Sequence, residues 1–246
     1  MMSRPGFCFL GLVLSLFLLT GCLHRPAGPS GEPQSFWAWL KRAAAPRPKN
    51  LLEEVQEAMR EFERGRYVVA FEKFQSIRDR YPTTPYALLA ELKMADCKYY
   101  SGSYEEAIVL YEQFEKLHPT NEAVPYVIFQ IGSAYYRMML SPDRDQTNTR
   151  KAIEAYERLL RQYPDSPYSL EARRRIRRCR DNLAAHEYYV AHYYFRVKRY
   201  RAAYARLEYL LKTYPDTDTA LKARSLLKKV ATKVGPDWQP GQSPDS

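Results

Sequence analysis

Gly102-Ser103-Tyr104-Glu105-Glu106-Ala107-Ile108-Val109-Leu110-Tyr111-Glu112-Gln113-Phe114-Glu115-Lys116-Leu117-His118-Pro119 carries the pattern that decides the fold. Tyr104, Ala107 and Tyr111 follow one another at steps of three and four, which places them on one face of an α-helix. Gly102 stands just before that helix, where a helix–helix turn favours a residue tolerant of positive φ. Pro119 ends it, because proline lacks the amide donor and disfavours helix in the residue before it. The same punctuation recurs along the chain. Eleven positions separate Ala107 from His118, Ala70 from Tyr81, Ala152 from Tyr163 and Ala203 from Tyr214, and a proline follows every time. Tyr67 and Tyr200 repeat the aromatic before the alanine, Phe74 and Tyr156 repeat the one after it, and Gly65 repeats the turn glycine.

A second small residue lies twelve positions upstream of the alanine, as Ala58, Ala95 and Ala191. Ile131-Gly132-Ser133-Ala134-Tyr135-Tyr136 supplies the corresponding stretch in the third unit. Small residues on both helices of a pair let the backbones approach and interlock. This small–aromatic–small–aromatic–proline pattern resembles the tetratricopeptide repeat. The expected fold is all-α, a solenoid of about five helix pairs in which stacked units share one continuous core. Successive prolines are 37, 45 and 51 residues apart. The 45-residue interval holds a polar insertion, Met138 to Gln146, in the turn of unit three. The 51-residue interval has another origin: from Tyr168 to Tyr214 there is neither Gly nor Pro, which predicts a helix of about 30 residues from Ser166 toward Lys198, joining units three and four.

Outside residues 51–235 the composition changes. Arg4, an apolar run from Phe7 to Leu19, and Leu19-Thr20-Gly21-Cys22 have the layout of a secretory signal over residues 1–21. Thirteen helical residues rise only about 20 Å, too short to span a bilayer. The tetrapeptide resembles the lipobox of bacterial lipoproteins, in which Cys22 becomes the acylated first residue. Leu23 follows instead of an inner-membrane-retaining aspartate, which favours the outer membrane. Residues 22–50 contain Pro26, Pro29, Pro33, Pro46 and Pro48, so they are expected to form an extended tether. Phe36-Trp37-Ala38-Trp39-Leu40 interrupts it and suits a membrane interface, a partner surface or packing against the first helix. Residues 236–246 are read as a flexible tail. The net charge of +10 over 246 residues would ordinarily suggest nucleic acid. Export argues against that and leaves anionic headgroups or an acidic protein surface. Once Cys8 leaves with the signal and Cys22 is acylated, Cys97 and Cys179 are the remaining cysteines. They read as two buried thiols, with one disulfide as the alternative in an oxidising compartment.

The order of lipobox, tether, irregular repeats, Ser141-Pro142-Asp143-Arg144-Asp145-Gln146, and the run from His186-Glu187-Tyr188-Tyr189-Val190-Ala191 through Arg206 to Tyr214-Pro215-Asp216-Thr217 resembles the BamD family. These are outer-membrane lipoproteins of the β-barrel assembly machinery. Asn182 departs from relatives that carry arginine there. The resemblance implies a non-enzymatic scaffold, lipid-anchored in the outer membrane and facing the periplasm. It would bind the periplasmic domains of BamA, other assembly subunits and unfolded outer-membrane proteins. No cofactor or metal is implied beyond the lipid on Cys22. A solenoid offers a wall made mainly by its first helices, suited to an extended or hairpin-like peptide. The repeat pattern puts Leu92, Asp96 and Tyr99 on that wall in unit two, and Phe129, Ser133, Tyr136 and Arg137 in unit three. Such helical aromatics serve as core as readily as they serve ligands.

Arg173-Arg174-Arg175-Ile176-Arg177-Arg178-Cys179-Arg180 is the densest charge on the chain. It reads either as a solvated face or as a partner contact through Arg174, Arg175 and Arg178, with Ile176 and Cys179 turned inward. Asp143 and Asp145 are expected to brace their turn, since aspartates readily bond turn amides. The four histidines fall at no triad or metal spacing, and no Gly-rich phosphate loop occurs. Two other functions fit a lipoprotein repeat protein: a pilotin for a pilus secretin or another envelope adaptor, and a regulator of cell-wall metabolism.

Overall fold

A computed structural model describes residues 50–234. The readings at Cys22, along the tether with Trp37 and Trp39, and in the tail from 236 lie outside the described residues. Every regular element in the described span is an α-helix: α1 (Leu51–Glu63), α2 (Tyr67–Arg80), α3 (Pro85–Tyr100), α4 (Tyr104–Leu117), α5 (Val124–Arg137), α6 (Thr147–Gln162), α7 (Ser169–Arg196), α8 (Tyr200–Thr213) and α9 (Asp218–Ala231). Each helix packs on the next. The expected all-α solenoid of helix pairs is what forms, with four pairs and α9 following them. No described helix is long and apolar enough to cross a membrane.

The ends of the helices follow from local chemistry. Asn50 caps α1 by accepting from the Glu53 amide at 2.8 Å, and Glu53 returns a bond to the Asn50 amide, a reciprocal capping box. The turns α1–α2, α3–α4 and α7–α8 share one closing motif. In the first, the Gly65 amide donates to Phe62 O and the Arg66 amide to Glu61 O; Gly102 and Ser103 repeat this, and so do Lys198 and Arg199. The motif needs a left-handed residue, and Gly65, Gly102 and Lys198 have φ of 73°, 87° and 61°. Lys198 therefore stands, with a side chain, where the other two units use glycine.

At each helix crossing the paired small residues are sealed from solvent. Ala58 faces Ala70 and Phe74, Ala95 faces Ala107 and Tyr111, and Ala191 faces Ala203 and Leu207; all are fully buried. Burying one such large side chain contributes about 1.5–3 kcal/mol, so these positions dominate the core. Cys97 and Cys179 are buried free thiols in the unit-one and unit-three clusters, and burial raises each thiol's pKa to about 12.

The long helix spans 28 residues, about 42 Å. It starts at Ser169 instead of Ser166, because the segment between Tyr163 and Ser169 closes two turns, Ser166 N to Tyr163 O and Ser169 N to Ser166 O, around Pro164 and Pro167. Its first half joins the core of α5 and α6 through Ala172 and Cys179, and its second half joins α8 and α9 through Ala184 and Ala191. The insertion braces it midway. Gln146, 2% exposed, donates to Ser141 O and Arg144 O and accepts from Thr149 and Asn182. Asn182 also donates to Leu140 O at 3.1 Å. His186 Nδ1 lies 2.7 Å from Pro142 O, and since a carbonyl only accepts, Nδ1 carries the hydrogen. Asp143 accepts from Ser141, and Asp145 accepts from the Thr147 amide and hydroxyl; these bonds hold both carboxyls below the usual carboxylate pKa. The aspartates brace the turn.

Candidate functional site

One helical position, directly after the small residue of the first helix, is polar in two successive units and is answered oppositely in each. In unit two it is Asp96, on α3. Its Oδ1 accepts from Tyr111 at 2.6 Å and Tyr126 at 2.8 Å, and its Oδ2 pairs with Lys93 at 2.8 Å. Burial and this carboxylate together push both tyrosine hydroxyls far above their ordinary pKa. In unit three the position is Ser133, on α5. Its hydroxyl donates to Phe129 O and accepts from Arg175 Nη1 at 2.7 Å. Arg175 Nη1 also reaches the Tyr156 hydroxyl at 3.0 Å. Burial raises the Tyr156 pKa to about 12, a smaller rise because its contact with Ser133 and the bond and charge of Arg175 oppose it. Two equivalent tyrosines, Tyr111 and Tyr156, are thus anchored by an anion and by a cation.

Arg175 is the centre of the unit-three wall. Its guanidinium carbon lies 4.9 Å from the Phe129 ring, 5.4 Å from Tyr136 and 5.9 Å from Tyr156. Its Nε bonds Glu171 at 3.0 Å. Burial works against its charge, but the bonds to Tyr156 and Glu171 outweigh that and raise its pKa. Arg178 lies beside Tyr136 and Arg137 beside Tyr99, and these neighbours raise the pKa of each guanidinium. Phe129 in turn stacks on Tyr168 at 5.1 Å, and Tyr168 meets Tyr126 at 5.7 Å. Beside these last rings opens a cleft of about 740 Å³ lined by Leu92 and Asp96 of α3, Pro125 and Tyr126 of α5, and Tyr163 to Tyr168 before α7. Tyr126, Phe129 and Tyr136 therefore lead from the cleft to the arginines along one face of α5, with Phe129 beneath Tyr168 and Arg175.

The wall differs from the expected one in what faces solvent. Asp96 and Ser133 are buried, at 1% and 0% exposure, and serve as anchors beneath the wall. Tyr99 and Phe129 are each 9% exposed, since Tyr104 covers one and Tyr168 and Arg175 cover the other. Leu92 and Tyr136 are partly open, and Arg137 is exposed. Of the arginines expected at a partner surface, Arg174 and Arg178 are exposed, whereas Arg175 is turned inward. The helix winding explains this: Arg175 lies four residues before Cys179 and shares its inner face. Arg180 is also engaged, with Thr213 O and Asp216.

Tyr126 and Tyr168 were not among the expected wall residues. A repeated signal marks them: Pro85-Tyr86, Pro125-Tyr126 and Pro167-Tyr168 each sit at the start of a first helix. Pro85 and Pro125 stand in the first turn of their helices and Pro167 just ahead of the N-cap Tyr168; Tyr126 and Tyr168 line the cleft, whereas Tyr86 packs against the unit-one core. Among the described residues no group of three or more His, Cys, Asp or Glu side chains is placed to hold a metal ion.

Comparison with known proteins adds an independent line. The family model described as "YfiO: Outer membrane lipoprotein" matches residues 47–240. The outer membrane protein assembly factor BamD of Vibrio cholerae is 27% identical over 233 residues, covering 91% of this chain and 90% of that protein. BamD of Xylella fastidiosa is 28% identical, with 96% of this chain and 80% of that one covered. BamD of Neisseria meningitidis serogroup A is 26% identical over 189 residues, with 73% and 71% covered.

Proposed function

This chain belongs to the YfiO family of outer-membrane lipoproteins, and from that premise we propose that it is an assembly factor for outer-membrane proteins. The relatives described above carry that name over most of their length and of this chain, which disfavours a pilotin or a regulator of cell-wall metabolism. In this reading the protein is a non-enzymatic scaffold without a cofactor. It is tethered to the outer membrane through a lipid on Cys22, faces the periplasm, and binds BamA and the other subunits of the machinery.

Unfolded barrel proteins are its second class of partner, and the wall of α3, α5 and α7 is where they bind. The observation that carries this is the run of rings from Tyr126 through Tyr168 to Phe129, continued to Tyr136 by the Arg175 guanidinium, beside an open cleft. Semi-rigid aromatic side chains present a large contact area at little entropic cost, which suits peptides rich in aromatic and β-branched residues. Solvated arginines on α7 remain for an acidic partner surface.

Fluorescence anisotropy with an aromatic-rich barrel peptide tests the reading. Tyr168→Ala should weaken binding about three- to tenfold with native circular dichroism, as expected for losing one stacked ring. Unchanged affinity would place the peptide elsewhere. Depletion in cells should lower folded barrel levels; normal barrels with lost peptidoglycan activity would restore the cell-wall reading.

A further inference from the structure

We infer that the wall sets the direction of the peptide it holds, seating a carboxylate of that peptide on Arg137, Arg175 and Arg178 at the C-terminal end of α5. The inference rests on the peptide-binding reading and adds the chemistry recognised at one end and the polarity of the bound chain.

The two ends of the aromatic run carry opposite charge. At the cleft end, Asp96 is neutralised by Lys93, which leaves Glu122 and Asp165 exposed on the rim without an ion pair among the described residues. At the other end stand Arg137, Arg174, Arg175 and Arg178. Glu171 is the carboxylate that answers there, at 3.0 Å from Arg175 and 3.7 Å from Arg174.

Arg175 is prepared for an anion in a way a solvated arginine is not. Its Nε is committed to Glu171 and its Nη1 to Ser133 and Tyr156, while three rings hold its plane. Its Nη2, a two-proton donor, has no hydrogen-bond partner among the described residues, and the side chain is 22% exposed. A guanidinium whose plane is fixed and whose Nη2 keeps both its hydrogens can donate to a carboxylate oxygen with little further ordering. Arg178, beside Tyr136, and Arg137, beside Tyr99, each lie near enough to Arg175 to feel its charge.

The length also fits. Ring and guanidinium centres follow at 5.7, 5.1, 4.9 and 5.4 Å from Tyr126 to Tyr136, a contour of at most about 21 Å. That accommodates roughly six residues of extended chain at ~3.3 Å each. The dipole of α5 favours the reverse orientation, but it amounts to about half a charge at each end against several full guanidinium charges.

Three ten-residue aromatic-rich peptides separate the possibilities in binding to the full-length protein in detergent: a free acid, its C-terminal amide, and the amide with a penultimate aspartate. The free acid is expected to bind at least tenfold more tightly than the plain amide. Arg137→Gln/Arg178→Gln, at exposed positions that leave the fold intact, should reduce that ratio to below about twofold. Equal restoration by the aspartate peptide supports carboxylate recognition through a side chain, and no restoration supports the terminus. A photoreactive group near the C-terminus of the peptide should label the segment around Tyr136, and one near its N-terminus the segment around Glu122. Tight but equal binding of acid and amide, or the reversed labelling, overturns the inference and leaves the peptide wall standing. Failure of all three peptides to bind a natively folded protein removes the wall reading as well.

Discussion

Gly132 lies so close beneath the ring of Tyr156 that a Cβ at position 132 would sit 2.7 Å from Cε1 and 2.8 Å from Cδ1. Units one, two and four place alanine at this crossing; unit three alone has glycine there, because its second-helix ring is held against the first helix by Arg175 and Ser133.

Gly132→Ala is therefore expected to destabilise the protein, although alanine is the better helix former. Overpacking costs about 1–3 kcal/mol, against roughly 1 kcal/mol of helix propensity gained. A net loss of up to about 2 kcal/mol in urea denaturation is the expected outcome; greater stability would mean that the ring shifts freely.

Asp96→Ala removes the acceptor of two tyrosine hydroxyls and the partner of Lys93 at a site 1% exposed. Breaking such a buried network costs about 3–5 kcal/mol. Tyr126→Phe, which removes one of the bonds, should cost about 1 kcal/mol. Similar costs for the two would show that the carboxylate is not the hub.

Lys198→Gly should stabilise the protein by up to about 1 kcal/mol, because a side chain in the left-handed region is strained and glycine there is not. The gain is reduced by the greater freedom of glycine in the unfolded chain. The denaturation midpoint should rise with an unchanged slope; a fall would assign the Lys198 side chain a stabilising contact of its own.

Stability should decline in alkali. The Cys97 and Cys179 thiols are raised by burial from 9.0 to about 12, and Tyr156 from 10.0 to about 12. Groups raised in the folded state keep their full contribution below the unfolded pKa and lose it as pH climbs toward the folded one. Stability is thus expected to hold to about pH 9 and to fall between there and about pH 12. The denaturation midpoint at pH 8 and pH 10.5 checks this, and a flat profile would contradict it. Both thiols should also resist alkylation at pH 8 until the protein is unfolded.

Removing the Gln146 side chain tests the brace on α7. Gln146 carries four hydrogen bonds at 2% exposure, so Gln146→Ala should cost about 2–3 kcal/mol and speed amide exchange in the 138–146 loop. Unaltered exchange would mean that His186 and Asn182 hold the loop unaided.

The repeat was legible because its signals are local. Gly65 and Gly102 mark turns that only a left-handed residue closes, the prolines stop helices, and Ala70, Ala107, Ala152 and Ala203 mark crossings, each about one helix length or less from the turn and proline of its own unit. The 28-residue helix was readable from a stretch without Gly or Pro. The site was legible only in part. The wall residues of units two and three were found by helical face, but a face pattern does not distinguish Asp96, sealed by Tyr111 and Tyr126, from an open position such as Arg137. Tyr126 and Tyr168 had a signal, the repeated Pro-Tyr, that spacing from the key alanine does not reveal.

The sequence by itself determined what depends on neighbours a few residues apart: helices, their caps and turns, the stacking period, and the family. Tertiary structure alone decided which polar groups are spent inside the wall and which remain for a partner. Asp96 meets a tyrosine 30 positions away, and Arg175 meets Ser133 across 42. Such bonds depend on how two helices cross, and a hydroxyl or guanidinium bonds whichever group that crossing brings within about 3 Å.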